Sequence, residues 1–309
     1  MLKITNIFLF GFLFTLPIIL SEISPYSNIS VSAFAEEEKE RKYENIKAKR
    51  RQTIGQRCAS RLDKANDFIE EEDWAAALEI LDKVEDSSKT CKSGYEKATV
   101  WRFKGLVYIS MEDVEAATIQ FENAVNAEGT PEDLKLDMRY ALAQLYMMQD
   151  RFAEAAVHLK TWIEQSSIVS SPAYALLARN YYQLDRKDEA LENINIAIDG
   201  FESKGKIPRE NWWVLQLGIY HERGDSKKVT DVLEKIVKYY PKWTYWRQLS
   251  QAYAVQERPS DSLVAGDLLY MNDELNKESE LKRLAIKYLA NEAPYKAAQI
   301  IAKGLNEKK

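Results

Sequence analysis

The feature that most constrains this chain is a large aromatic residue that returns at a nearly constant interval. Phe68, Tyr108, Tyr146, Tyr181, Tyr220, Tyr253 and Tyr288 follow one another at steps of 40, 38, 35, 39, 33 and 35 residues. Nine residues after each of the first five stands a small or β-branched residue: Ala77, Ala117, Ala155, Ala190 and Val229. Short polar stretches separate the two positions: Glu71-Glu72-Asp73, Met111-Glu112-Asp113, Gln149-Asp150-Arg151, Asp185-Arg186-Lys187 and Arg223-Gly224-Asp225. This interval accommodates two helices and a turn. A lone helical hairpin cannot bury its apolar face, so such units must stack on their neighbours.

Composition agrees. Apolar residues make up 46% of the 309, enough for a sizeable core, while only 11 Gly and 8 Pro favour long helices over a turn-rich sandwich. Length alone allows one elongated domain or two compact ones. With 43 basic and 48 acidic residues the net charge is −5, so no global positive field would attract nucleic acid or acidic lipid.

The first 35 residues read as a secretory leader. Lys3 is a basic start, and Ile7 to Leu20 is an apolar run broken by Gly11, Thr15 and Pro17. A polar stretch then ends in Ala33-Phe34-Ala35, a small-x-small cleavage pattern, with Glu36 next. The alternative is an uncleaved anchor: Ile4 to Leu20 is 17 residues, the bottom of the spanning range. Cleavage would release a secreted chain with no direct membrane insertion. Residues 36–51 carry seven basic and five acidic side chains and lack an apolar face. Residues 36–57 therefore read as a charged linker or frayed helix, and the repeat body as 58–309.

The second repeat is the clearest: Trp101, Gly105, Tyr108, Ala117, Phe121 and Ala124 stand at the spacings of the tetratricopeptide (TPR) pattern, with Lys104 where Leu is usual. The third keeps Tyr146 and Ala155, the fourth Tyr181 and Ala190. The fifth has Trp213, Tyr220 and a closing Pro241; the sixth has Trp246 and Tyr253. In the sixth, Ser262 replaces the usual Ala and the second helix is expected to be irregular. The seventh keeps Tyr288 and Ala298, with one extra residue in its turn. The chain thus resembles the TPR proteins. The expected fold is an all-α, right-handed α-solenoid of about seven antiparallel helix pairs, near 58–88, 94–127, 131–166, 171–203, 208–240, 243–272 and 277–307. Small residues permit close helix approach, Gly105 against Ala117, and the tyrosine fills the space toward the next pair.

Catalytic chemistry has no foothold. His158 and His221 each lack a second His or Cys four residues away and read as surface or groove histidines. No three glycines cluster around a phosphate, and no Gly-x-Ser-x-Gly occurs. Glu70-Glu71-Glu72-Asp73 lacks alternating ligand spacing and reads as a solvated turn. No enzyme activity, cofactor or metal is expected. Trp101, Trp213 and Trp246 occupy the repeat's own structural position; Trp212 and Trp243 do not, and are the better candidates for exposed recognition.

Beyond the generic repeat, several stretches resemble a narrower family, the periplasmic TPR proteins that accompany TonB–ExbB–ExbD energy-transduction systems. They are Lys92-Ser93-Gly94-Tyr95-Glu96-Lys97-Ala98, Lys206-Ile207-Pro208-Arg209-Glu210-Asn211-Trp212-Trp213 and Tyr239-Tyr240-Pro241-Lys242-Trp243-Thr244-Tyr245-Trp246, with Lys277-Glu278-Ser279-Glu280-Leu281 and Pro294-Tyr295-Lys296-Ala297-Ala298. The turn at Glu257-Arg258-Pro259-Ser260 departs from that family's usual Gly-Asp. The resemblance implies a periplasmic scaffold that binds a protein of the TonB complex and aids outer-membrane transport. A TPR scaffold for cell-envelope assembly unrelated to TonB, and an enzyme with a site hidden in the groove, are the alternatives.

Cys58 and Cys91 are the only cysteines. An oxidising compartment invites a disulfide; two free, half-buried thiols are the alternative. The opening of the first helix and the segment after the second are neighbours in an antiparallel pair, so a bond is geometrically reasonable. The binding groove is expected along the first helices, at Arg102, Leu106, Tyr140, Gln144, Met147, Arg179, Tyr182, Asn211, His221, Arg247 and Gln251. Three exposed arginines and two tyrosines would suit an acidic or extended peptide.

Overall fold

The structure, a computed structural model, describes residues 53–87, 89–166 and 170–306. The expected leader and the charged run 36–51 lie outside the described residues. Fourteen α-helices are described: α1 Gln56–Glu70, α2 Trp74–Glu85, α3 Gly94–Ser110, α4 Val114–Asn126, α5 Glu132–Met148, α6 Phe152–Gln165, α7 Ser171–Gln183, α8 Lys187–Glu202, α9 Glu210–Glu222, α10 Ser226–Tyr239, α11 Trp243–Val255, α12 Pro259–Met271, α13 Glu278–Ala290 and α14 Pro294–Asn306. They form two compact units, α1–α6 and α7–α14. Each unit is a run of helix pairs, and the odd-numbered helix opens each pair.

The aromatic ladder works through the backbone as well as the core. Four residues after each ladder aromatic, the chain enters the left-handed region: Glu72 (φ 58°), Glu112 (63°), Asp150 (56°), Asp185 (57°), Gly224 (70°), Glu257 (54°) and Glu292 (59°). The next amide returns to the ladder residue's carbonyl, from Asp73 to Phe68 at 2.8 Å through Ala293 to Tyr288 at 2.9 Å. This six-to-one bond closes each first helix and satisfies an orphan carbonyl. All seven turns share this register, so the seventh contains no extra residue. Its small residue is Ala297, 4% exposed, and Ala298 is exposed.

In six of the seven pairs the residue that starts the second helix comes in two chemistries, and in the seventh it is Ala293. Asp73, Asp113 and Asp225 accept the amides of Ala76, Ala116 and Lys228 at 3.0, 2.9 and 3.0 Å. These are side-chain caps that also favour the positive end of the helix dipole. Arg151, Arg186 and Arg258 cannot cap. Their guanidinium groups instead lie 4.3, 4.5 and 4.4 Å from the ring centroids of Tyr146, Tyr181 and Tyr253. Each also pairs an acid three residues on: Glu154, Glu189 or Asp261. Stacking and a local ion pair offset the unfavourable cation at a helix start.

Between pairs, ladder hydroxyls reach back to an acid on the preceding second helix, Tyr146 to Glu122 at 2.5 Å and Tyr253 to Glu234 at 3.0 Å. Tyr288 binds Asp267 in the same way. Burial, with the adjoining carboxylate, raises the Tyr253 phenol to about 12, so the donor stays protonated.

Several expectations need correction. At Gly105 the tightest neighbour is the ring of Phe121: an added Cβ would lie 2.8 Å from Phe121 Cε2. α12 is a regular helix, and Ser262 is buried in the slot that alanine fills elsewhere. Its hydroxyl donates to the Ser250 carbonyl at 2.6 Å, and the Ser250 hydroxyl donates back to the Ser262 carbonyl at 2.9 Å. The exchange satisfies both hydroxyls without opening the helices. Trp212 is 5% exposed, set edge-on to Phe201 at 4.7 Å, so it is core. His158 is half-buried, its ring 5.3 Å from that of Tyr146.

Candidate functional site

Cys58 and Cys91 are bonded, with their Cα atoms 5.1 Å apart. Beside the bond, Glu96 gathers the amides of Gly55, Lys92 and Ser93 at 2.8, 2.8 and 2.9 Å, together with the Ser93 hydroxyl at 3.1 Å. Burial pushes the Glu96 carboxyl up, but these donors outweigh it and hold its pKa below the ordinary value. Bond and carboxylate together fasten the chain entering α1 to the start of α3. Lys104, in the usual leucine position, is buried yet satisfied, 2.8 Å from Asp82 and 2.5 Å from Glu85. Trp101 Nε1 donates to the same Glu85 at 2.8 Å. Both bonds join α2 to α3, so Lys104 and Trp101 tie the first pair to the second.

The expected groove residues fall on both units and meet different fates. In α1–α6, Arg102, Leu106, Tyr140 and Gln144 are half-buried. Tyr140 packs on Trp162 with centroids 5.1 Å apart, and Met147 is buried at 8% exposure, so these two belong to the core of their pair. In α7–α14, Arg179, Asn211 and Arg247 are half-buried too. Arg247 donates to the Glu274 carbonyl at 2.7 Å and pairs Glu280 at 3.1 Å, joining α11 to α13. Tyr182 donates to Glu222 at 2.5 Å, joining α7 to α9. The three arginines are therefore not the exposed triad expected from sequence. His221 and Gln251 are exposed.

In α9 and α11, register separates the exposed His221 and Gln251 from the half-buried Asn211 and Arg247. Residues two before and one after the ladder aromatic are three apart and share one side of the helix. In α7–α14 they are Arg179 and Tyr182, Gly218 and His221, Gln251 and Ala254, Ile286 and Leu289. Arg247 lies six before its ladder residue and Asn211 nine before, on a different part of their helices. Exposure along this register reaches 63% at Ile286 and 55% at Leu289. A side chain's first carbon at Gly218 would meet nothing within 4 Å. Val255, next in sequence to Ala254, is 69% exposed. The first-helix side of α7–α14 thus runs from a cationic and aromatic end, through an open polar middle, to an exposed aliphatic end. Sequence reading missed Ile286, Leu289 and Val255. Carrying the ladder register to the last pair would have found the first two.

One cluster resembles chemistry. Lys287 Nζ lies 2.9 Å from Ser250 Oγ and 3.3 Å from the Ser262 carbonyl. Burial, then the nearby Arg283, lower the Lys287 pKa. A Ser–Lys pair can serve a nucleophile. Here Ser250 is 5% exposed and its proton is committed to Ser262, so the cluster joins α11, α12 and α13 as a polar staple. Among the described residues no group of three His, Cys, Asp or Glu could hold a metal ion, and no helix is long and apolar enough to cross a membrane.

No protein-family profile and no curated protein sequence matches this chain. Among solved structures it is similar to a tetratricopeptide-repeat protein from Parabacteroides merdae, at 14% identity over 82% of this chain and 93% of that one, with a TM-score of 0.50. It is also similar to the C-terminal part of a TPR repeat-containing protein from Cytophaga hutchinsonii, at 13% identity over 77% of this chain and 92% of that one, with a TM-score of 0.53. At such identities the likeness speaks to fold alone, and together with the repeating hairpins it establishes that the chain folds as an all-α TPR-type solenoid.

Proposed function

We propose that this protein is a non-enzymatic scaffold that holds a segment of a partner protein along the first-helix side of α7–α14. The observation that carries this reading is the register-aligned exposure of Gln251, His221, Ile286 and Leu289 beside the open surface at Gly218. Solvated aliphatic side chains next to hydrogen-bonding groups favour a segment that buries apolar residues at one end and polar ones at the other. A periplasmic setting, and a partner from the TonB–ExbB–ExbD complex, extend the reading. They are supported by the leader-like first 35 residues and by the family-like stretches between residues 92 and 298.

The test is titration of the purified chain with the purified periplasmic regions of TonB and ExbD. Binding should weaken at least about tenfold in the Ile286→Ser/Leu289→Ser variant, since each lost aliphatic contact removes about 1 kcal/mol. Helicity should be unchanged, because both side chains are largely exposed. Equal binding by parent and variant would move the site off this face. Binding to neither protein would remove the TonB assignment.

A further inference from the structure

The net charge of −5 conceals a local concentration of the opposite sign. Residues 203–209, joining α8 to α9, carry Lys204, Lys206 and Arg209 and no acid. Residues 235–242, the end of α10 and its link to α11, carry Lys235, Lys238 and Lys242 and again no acid. The two segments touch: the Tyr240 hydroxyl donates to the Pro208 carbonyl at 2.8 Å. Lys235 pairs Glu202 at 3.2 Å and Lys242 pairs Glu210 at 2.7 Å, so the acids at the rim are occupied. Lys204, Lys206, Arg209 and Lys238 are exposed and form no ion pair among the described residues.

Aromatic and aliphatic groups underlie these cations. The Lys206 ammonium lies 6.0 Å from the Phe201 ring centroid, the Arg209 guanidinium 5.8 Å from Trp212, and the Lys238 ammonium 5.2 Å from Tyr239. Between Lys206 and Pro208 stands Ile207, 55% exposed. The cations come from the α8–α9 link and the last turn of α10, at one end of the helices, opposite the tight turns within the pairs. Unpaired cations beside an exposed aliphatic residue and the half-buried Tyr239 have the composition of a surface that meets an anionic headgroup layer.

We propose that this edge adsorbs to an anionic phospholipid bilayer, with Lys204, Lys206, Arg209 and Lys238 against the headgroups and Ile207 at their level. The contact is peripheral and crosses no hydrocarbon. It is independent of the protein-binding face proposed above, and would hold the scaffold beside a membrane while that face stays open.

The experiment measures binding of the purified chain to vesicles of phosphatidylcholine alone and of phosphatidylcholine with about one-third phosphatidylglycerol. Every preparation carries the same N-terminus. An apolar leader would enter both vesicle types alike, so the ratio of anionic to neutral binding is the readout. Each near-surface cation contributes about fivefold, so Lys206→Gln/Arg209→Gln/Lys238→Gln should lower the ratio about 100-fold. Helicity and melting should stay unchanged, since the three side chains are exposed. The control Lys227→Gln/Lys228→Gln/Arg283→Gln removes the same charge elsewhere and should keep the parent's ratio. Salt should abolish the preference by screening. A parent ratio near one, or equal loss in the two variants, overturns the proposal. So does tight binding of polyglutamate by a chain that ignores anionic vesicles, an outcome that would assign the edge to an acidic protein.

Discussion

Replacing Gly105 by alanine sets two opposing effects against each other, and the structure decides which wins. Gly105 lies in the interior of α3, where alanine would ordinarily stabilise by about 0.8–1 kcal/mol through lower backbone entropy in the unfolded chain. The new methyl, however, would sit 2.8, 3.0 and 3.1 Å from three ring carbons of Phe121. Phe121 is 2% exposed, on α4, and cannot swing into water. The ring or the whole helix must shift, an overpacking cost of about 1–3 kcal/mol. The expected outcome is a net loss of up to about 2 kcal/mol despite the better helix former, from the difference of those two ranges. Phe121→Leu should cost stability by itself yet relieve the clash. The double variant should therefore be at least about 1 kcal/mol more stable than the sum of the single changes. Urea titration followed by circular dichroism gives the free energies, and amide exchange in α3 and α4 confirms that the loss begins there, because a stack of pairs can open in parts. A Gly105→Ala protein more stable than the parent by the full propensity gain, with no coupling to Phe121, would refute the packing argument.

Two further outcomes concern the first pair. Removing the Cys58–Cys91 bond, which spans 33 residues, should cost about 3–4 kcal/mol in the chain-entropy account, read as a reductant-dependent melt with early amide exchange in α1 and α2; an unchanged melt would contradict it. Glu96 holds a pKa below 4.5 when folded, so its contribution is complete above that value and disappears as pH falls through the folded pKa. Glu96→Gln should lose about 1–3 kcal/mol at neutral pH and flatten that acid-side decline, measured as the difference between the two proteins' stability-against-pH curves.

The sequence was informative about the fold for a specific reason. A ladder aromatic must do three things at once: fill the inter-pair space, receive the turn's closing amide on its carbonyl and, in several pairs, place its hydroxyl on a neighbour's acid. Those joint demands leave few residue types, so Phe68 to Tyr288 stand out without any structure. The turn register fell partly out of view only where the small residue changed. Ala298 seemed to break the spacing because Ala297, the residue that is buried, stands beside it.

The candidate site was harder to read. Arg102, Arg179 and Arg247 are long, charged and on first helices, which locally describes a solvent-facing side chain. Nothing local reveals that Arg247 meets Glu280 and the Glu274 carbonyl, respectively 33 and 27 residues away. Likewise, Trp212 became core only because Phe201 approaches from the preceding helix, and Tyr140 only because Trp162 does.

The sequence by itself determined the hairpin period, the turn positions and the residues that fill the core of each pair, because these depend on spacing along one chain and on side-chain volume. Tertiary structure alone decided which polar side chains were already spent on neighbouring pairs and which remained for a partner. It also decided that Lys204, Lys206, Arg209 and Lys238, scattered through an acidic chain, stand on adjoining segments. Charge and hydrogen bonding act through space at a few ångströms, and only folding brings residues some thirty positions apart to that distance.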